Sequence, residues 1–185
     1  MIGVLYYRGG NARNVLWALQ RLQIPARKVE RPHDLHHLAG LILPGVGAAP
    51  AAMNELARVE LLSPLKEWTQ PFLGICLGMQ LLFESSEEGN TRCLGLLPGT
   101  VKALPPGVVC PHMGWNRLSN GRYAYFVHSY ACHPADAGLI TTTTRYGGEL
   151  CAGVRHEHLF GVQWHPEKSG EAGVLLLKGF AQLCS

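Results

Sequence analysis

The reading of the fold turns on "FLGICLGMQLLFE", residues 72–84. An apolar run ends at Cys76, which is flanked two residues away on each side by Gly74 and Gly78, and amphipathic sequence follows at once. A buried strand passing straight into a helix with G-x-C-x-G at the junction gives a sharp, strained corner. There, glycines avoid clashes that a Cβ would cause, and the thiol sits on the turn as a nucleophile. A helix starting at Leu77 would turn its free N–H groups toward the sulfur, where they can receive an oxyanion. The plain alternative is a buried structural cysteine between two packing glycines.

Outward from this corner, the first half alternates strands and helices. "IGVLYY" (2–7), "ARKVE" (26–30), "LAGLILPG" (38–45) and "PFLGI" (71–75) read as strands. "ARNVLWALQRLQI" (12–24), "AAPAAMNELARV" (48–59), "SPLKEWT" (63–69) and "LGMQLLFESS" (77–86) read as helices, with Ser63 an N-cap and Pro64 in the first turn of the third. Such alternation predicts an α/β fold: a central, mixed, mainly parallel sheet with helices on both faces. After residue 98 the character changes. "GTVKAL", "YAYFVHSYA", "GLITTTTRYG" and "CAGVRHEHLFGVQW" predict mainly antiparallel strands added to the same sheet, and "GEAGVLLLKGFAQLC" (170–184) a closing helix. Asn120-Gly121 predicts a two-residue hairpin turn.

Composition narrows the function. The 185 residues, 47% hydrophobic and 16% charged, predict one domain over residues 1–185 with a substantial core. The net charge is only +3 and no basic run exceeds two residues, which argues against nucleic acid as a partner. No apolar segment is long enough to span a bilayer and the N-terminus does not read as a signal peptide, so the expectation is a cytoplasmic protein with no membrane association. Its six cysteines are scattered singly, without a CxxC, as expected of reduced thiols. His33, His36, His37, His156 and His158 match no zinc spacing and read as solvated surface histidines, so no metal and no cofactor are expected.

Two further stretches bear on Cys76. In "GVQWHPEKS" (161–169) a strand is expected to run to His165, with Glu167 two residues on and therefore on the same side of an extended chain, able to orient the imidazole. Read alone, this could be an exposed His-Pro-Glu turn. In "LILPGVGAAP" (41–50) a strand end is followed by Gly45-Val46-Gly47, whose backbone can supply an oxyanion donor beside the N–H of Leu77. A thiol, a carboxylate-oriented base and an oxyanion loop make an acyl-transfer site: attack on an amide carbonyl, a thioester, then hydrolysis. His128 in "YFVHSY" is a weaker base candidate because no acid sits at a suitable spacing.

At these residues the sequence resembles the class I, triad-type glutamine amidotransferases: "PGVG" as oxyanion loop, "GICLGMQ" as nucleophile corner and "HPE" as the closing motif. "LPGVGAA", "LGLLPGTV", "PHMGWN", "YFVHSY" and "HPEKSG" are similar to one branch, the glutaminase subunits of imidazole glycerol phosphate synthase. The resemblance implies that Cys76 attacks glutamine, His165 acts as base and then acid, Glu167 orients it, and Gly45, Val46, Gly47 and Leu77 form the oxyanion hole. It implies glutamine-holding roles for Gln80, Glu88, Ser129 and Tyr130. His112, Trp115, Asn116, Tyr125, His128 and Lys168 would lie near the docking face and ammonia exit. The partner it implies is the (β/α)8-barrel cyclase subunit, to which ammonia would pass. Other triad amidotransferases, serving pyridoxal phosphate, anthranilate or nucleotide synthesis, typically carry Pro-Gly-Gly at the loop. The remaining alternatives are a freestanding γ-glutamyl thiol hydrolase and a catalytically idle docking subunit. The chain departs from the family pattern in its first loop, Tyr6-Tyr7-Arg8-Gly9-Gly10-Asn11, and in a short segment at 116–126.

Overall fold

Every residue of the strand Gly40–Gly45 and of the strand Phe72–Cys76 is buried, as expected of strands covered on both faces. In the structure, a computed structural model that describes residues 1–7 and 11–184, these are the third and fourth strands of the chain. The order is β1 (Ile2–Leu5), α1 (Ala12–Arg21), β2 (Ala26–Val29), β3 (Gly40–Gly45), α2 (Ala49–Arg58), α3 (Leu62–Lys66), β4 (Phe72–Cys76) and α4 (Leu77–Leu81). There follow β5 (Ser85–Ser86), β6 (Thr91–Arg92), β7 (Gly99–Ala103), β8 (His112–Arg117), β9 (Tyr123–His128) and β10 (Tyr130–Pro134). The chain closes with β11 (Ile140–Arg145), β12 (Glu149–His156), β13 (Leu159–Val162) and α5 (Gly170–Leu183). Arg8, Gly9 and Gly10, within the first loop that departs from the family pattern, lie outside the described residues.

Among the described residues the main sheet has seven strands in the order β11-β12-β13-β4-β3-β1-β2. The strands β2, β1, β3, β4 and β13 run parallel, and β12 and β11 add an antiparallel edge. Successive residues of a strand face opposite sides. Leu41 and Leu43 accordingly join a core with α2 and α4 on one face, while Ile42 joins Val4, Leu73 and Ile75 with α1 and α5 on the other. The carboxyl ends of β3, β4 and β13 lie side by side, which is where an open α/β sheet places its ligands.

Four expectations need correction. The antiparallel strands of the second half do not all extend one sheet: β10-β7-β5-β6 form a separate four-stranded sheet, and β8-β9 a two-stranded hairpin. The helix expected over residues 77–86 is five residues long, because the chain leaves it to pair β5 with β6 and β7. In the third helix Ser63 is internal and Leu61 takes the N-cap position, without a side-chain cap. The hairpin turn also differs. The Leu118 N–H bonds to the Arg122 carbonyl and the Gly121 N–H to the Leu118 carbonyl, leaving a three-residue loop with Gly121 at φ +88. A left-handed glycine there is the usual closure of a three-residue loop.

The glycines around Cys76 act through helix–sheet distance. A Cβ on Gly74 would lie 2.6 Å from the Gly78 carbonyl oxygen, and one on Gly78 would run into the Leu43 carbonyl. The helix α4 therefore lies directly on β3 and β4, and the corner is held tight. Gly78→Ala is expected to cost about 3 kcal/mol or more, since backbone cannot yield as a side chain can, and to lower Tm by about 10 °C in a thermal melt. Gly179→Ala, on an exposed turn of α5 with open space around it, is the control and gains stability instead, by up to about 1 kcal/mol.

Candidate active site

Cys76 ends β4 with φ 55 and ψ −112, a left-handed backbone at a residue with a Cβ. Strain of this kind persists only where the surroundings enforce it, here the pairing of Gly45 with Cys76 and the close seat of α4. The strain lifts the thiol out of the strand line into a cavity of about 320 Å³. Val46, Gly47, Leu77, Gln80, Glu88, Val127, His128, Ser129 and Tyr130 line that cavity together with the sulfur. Of the four oxyanion-hole candidates, Val46, Gly47 and Leu77 line the same cavity as the sulfur, with Gly47 at φ +90, and Gly45 pairs with Cys76 in strand register.

The imidazole comes from the far end of the chain. β13 stops at Val162, three residues before His165, so Glu167 reaches its neighbour by a route other than strand periodicity. His165 is the extended residue preceding a short 3-10 turn, Pro166–Lys168, and the turn folds the Glu167 carboxylate back onto the ring. His165 Nδ1 donates to Glu167 Oε1 at 2.8 Å, and both side chains are almost wholly buried, 1% and 2% exposed. The Nε2 atom makes no aligned hydrogen bond and is buried, on the side where the Cys76 sulfur acts on the ring. Burial alone would drive the imidazole toward neutrality. The contacts with Cys76 and Glu167, through hydrogen bonding and charge, outweigh it and push the ring up to about 10. A proton leaving the sulfur therefore finds a stable seat on His165.

Asn11, the last residue of the first-loop motif and without a role assigned to it from sequence, completes this arm. Its Nδ2 donates to Glu167 Oε1 at 2.6 Å, and its Oδ1 accepts from Asn14 Nδ2 at 2.6 Å. Position alone marks Asn11 as a helix cap, but it makes no side-chain cap bond; the amide is spent on Glu167 instead. Gln163 is the second residue that sequence reasoning missed: it is 1% exposed and its Nε2 lies 3.7 Å from the Cys76 sulfur.

The glutamine-holding candidates surround the cavity in part-committed form. Gln80 spends both Nε2 protons inside the protein, on the Tyr130 carbonyl and on Gln163 Oε1, each at 3.0 Å. The Tyr130 carbonyl also accepts from His128, and the Ser129 carbonyl from the Leu104 N–H. Glu88 is not at the end of a long helix but on a short 3-10 turn, where Oε2 accepts the Ala49 N–H at 2.7 Å and ties the pocket wall to the start of α2.

The docking-face candidates fall into two groups. Trp115, 58% exposed, stacks edge-on against Tyr125, whose ring carries the Lys168 ammonium 5.4 Å from its centroid. With Met113 and Tyr123 also exposed, the outer face of the β8–β9 hairpin is a large uncovered aromatic and thioether surface beside the cavity. His112 and His128 lie beneath that face, buried. His128 Nδ1 bonds the Tyr130 carbonyl at 2.8 Å and so must carry a proton. Its Nε2 then accepts from His112 Nδ1 at 3.0 Å, and His112 Nε2 accepts from Asn116 at 3.2 Å. Burial pushes His128 down to about 4 and His112 down as well, which keeps both rings neutral. Both nitrogens of His128 are thus occupied, a sounder reason than missing acid spacing for preferring His165 as the base. Of the surface histidines, His158 is not simply solvated, since its Nε2 bonds the Trp68 carbonyl at 2.9 Å.

A strained thiol on a strand–helix corner, a buried imidazole–carboxylate pair and a glycine loop at the mouth define an acyl-transfer enzyme, and the fold matches that chemistry. The family "Glutamine amidotransferase class-I" spans residues 5–182 of this chain. Among solved structures, that of a glutamine amidotransferase superposes with a TM-score of 0.81 at 23% identity, covering 99% of this chain and 98% of the other. PurLQS from Thermotoga maritima has the same fold, with a TM-score of 0.72 at 21% identity, over 100% of this chain and 98% of the other. The chain is similar at 42% identity to the imidazole glycerol phosphate synthase subunit HisH of Moorella thermoacetica, over 98% of this chain and 94% of that protein. It is 44% identical to the protein of the same name from Xanthomonas axonopodis pv. citri, over 95% and 94%. The chain is a class-I glutamine amidotransferase and belongs to the HisH family within that class.

Proposed function

We propose that this chain, acting as one domain, hydrolyses glutamine at Cys76 and passes the ammonia to a (β/α)8-barrel cyclase subunit. That subunit would join the ammonia to the phosphoribulosyl formimino intermediate PRFAR, giving imidazole glycerol phosphate and AICAR in histidine biosynthesis. The observation that carries this reading is the buried His165–Glu167 pair beside the strained Cys76, in a chain whose close relatives are named as synthase subunits. With His165 holding the proton that Cys76 has given up, the sulfur bonds to the amide carbon. The negative charge on the carbonyl oxygen is taken by the N–H groups of the 45–47 loop and Leu77. As the C–N bond breaks, the imidazolium proton goes to the leaving nitrogen and ammonia departs. Water, deprotonated by His165, then cleaves the thioester, and glutamate leaves with the thiol restored.

Gln80, Glu88, Ser129 and Tyr130 hold the glutamine, and Trp115, Tyr125 and Lys168 meet the partner, with His112, Asn116 and His128 supporting that face from within. The reading places the enzyme in the cytoplasm, where six unpaired cysteines stay reduced. Among the described residues no helix is long and apolar enough to cross a membrane.

A glutaminase that ran unassisted would waste glutamine. Val46 provides the means of restraint: with a Cβ, its peptide turns over less freely than a Gly-Gly pair would, giving a loop with two arrangements for the partner to choose between. The test is glutamate release by the chain alone, with the barrel subunit, and with the barrel subunit plus PRFAR. Release is expected to rise by about 100-fold across that series. Full activity of the isolated chain overturns the gating; no activity in any mixture overturns the glutaminase.

A further inference from the structure

We propose that Gln163 is a further catalytic residue, whose side-chain N–H holds the Cys76 sulfur in its anionic form; the inference rests on the glutaminase reading of the same site. Gln163 follows β13, its backbone N–H fixed on the Ala152 carbonyl at 3.0 Å, and its side chain is buried. The orientation of its amide follows from its neighbours. The Tyr130 carbonyl can only accept, so the Gln80 atom facing it is the nitrogen. That nitrogen also faces Gln163 at 3.0 Å, so the Gln163 atom meeting it is the oxygen. The remaining amide atom, 3.7 Å from the sulfur, is therefore the N–H donor. Two interlocked amides thus carry a donor from the pocket wall to the nucleophile.

The sulfur's other contact makes this donor matter. When the sulfur carries its proton, the S–H points to the Val127 carbonyl at 3.7 Å. Once the proton moves to His165, that carbonyl offers the sulfur only its negative end. The Gln163 N–H then opposes it by donating to a charged acceptor, the stronger kind of hydrogen bond. Titratable groups acting on or near the sulfur from other elements are His165 before the closing 3-10 turn, Tyr7 after β1, Cys132 on β10, and Glu88 and His128 on the cavity wall. None of these donates to the sulfur among the described hydrogen bonds.

The test is the rate of Cys76 alkylation by iodoacetamide against pH, alongside glutaminase kinetics of the complex with the barrel subunit. Gln163→Glu keeps an oxygen for Gln80 and turns the donor into an acceptor; Gln163→Met removes it. Both are expected to move the half-maximal pH of alkylation up by about one unit and to lower kcat about 10- to 100-fold with KM for glutamine little changed. The shift should be larger for Gln163→Glu. A fall in kcat with an unmoved alkylation profile assigns Gln163 a merely structural role and overturns the proposal. In the unsubstituted chain, the side-chain amide resonance of Gln163 is expected to titrate with the same midpoint as alkylation; a resonance that stays fixed overturns the proposal whether or not the variants fold. A shifted alkylation profile in a protein that never releases glutamate supports the role of Gln163 and refutes the glutaminase reading instead.

Discussion

Cys76→Ala is expected to lower glutamine-dependent synthesis by the complex about 10⁴-fold or more, while leaving synthesis from added ammonium salts near the unsubstituted rate. Loss of the nucleophile removes the covalent route, and what remains is catalysis by binding and oxyanion stabilisation alone. On the proposed reading, ammonium supply bypasses the thioester and needs only the partner subunit. The substitution is mild structurally: the site is buried, a methyl group replaces CH2SH, and the packing of Gly74 and Gly78 under α4 is untouched. Part of the backbone strain at φ 55 persists with alanine, so Tm should change little. Equal loss with glutamine and with ammonium would mean that Cys76 supports the assembly and not the chemistry.

The second large effect is at Glu167. Glu167→Gln should lower kcat about 100-fold, less than the loss on replacing the nucleophile, because Asn11 limits the damage. In the unsubstituted chain Oε1 accepts from both Asn11 Nδ2 and His165 Nδ1. An amide oxygen at the same position can accept from both, so Asn11 keeps the substituted side chain turned the right way and the imidazole keeps its tautomer. What disappears is the charge, and a hydrogen bond to a charged group contributes about 1.5–3 kcal/mol. Removing Asn11 as well frees the new amide to rotate, and Asn11→Ala with Glu167→Gln should lose more than the sum of the single changes.

The same pair sets a pH dependence. His165 sits at about 10 in the fold, above its ordinary value near 6.5, so its contribution to stability is complete below about pH 6.5 and is lost as pH rises through 10. Glu167→Gln removes part of that elevation. The difference in Tm between the two proteins is therefore expected to be widest near pH 6 and to close toward pH 10. A gap constant over that range would mean that the imidazole does not keep its proton as the structure indicates.

Much of this was legible along the chain, for physical reasons that differ from element to element. The buried runs of β3 and β4 announce themselves because strands covered on both faces must be continuously apolar, and the corner at Cys76 because only glycine permits α4 to lie so close. The separate sheet of β5, β6, β7 and β10 was not legible: two-residue strands carry no period. The His165–Glu167 contact was anticipated, but through strand alternation, whereas a 3-10 turn makes it. Asn11 and Gln163 escaped because a bond between residues 11 and 167, or 163 and 76, leaves no mark in local sequence. The two histidines under the hairpin are expected from the resemblance at the docking face, yet the alternation of β9, with Ala124, Phe126 and His128 turned inward, and the buried start of β8 at His112 show that they are interior.

The position of β13 has a consequence for synthesis of the protein itself. This strand inserts between β4 and β12 and is followed at once by the residues that equip the sulfur. A ribosome that has translated the nucleophile still has about half the polypeptide to make before the imidazole exists. On the proposed reading, a nascent chain that ends before residue 165 has the sulfur but no base, and so releases no ammonia from glutamine.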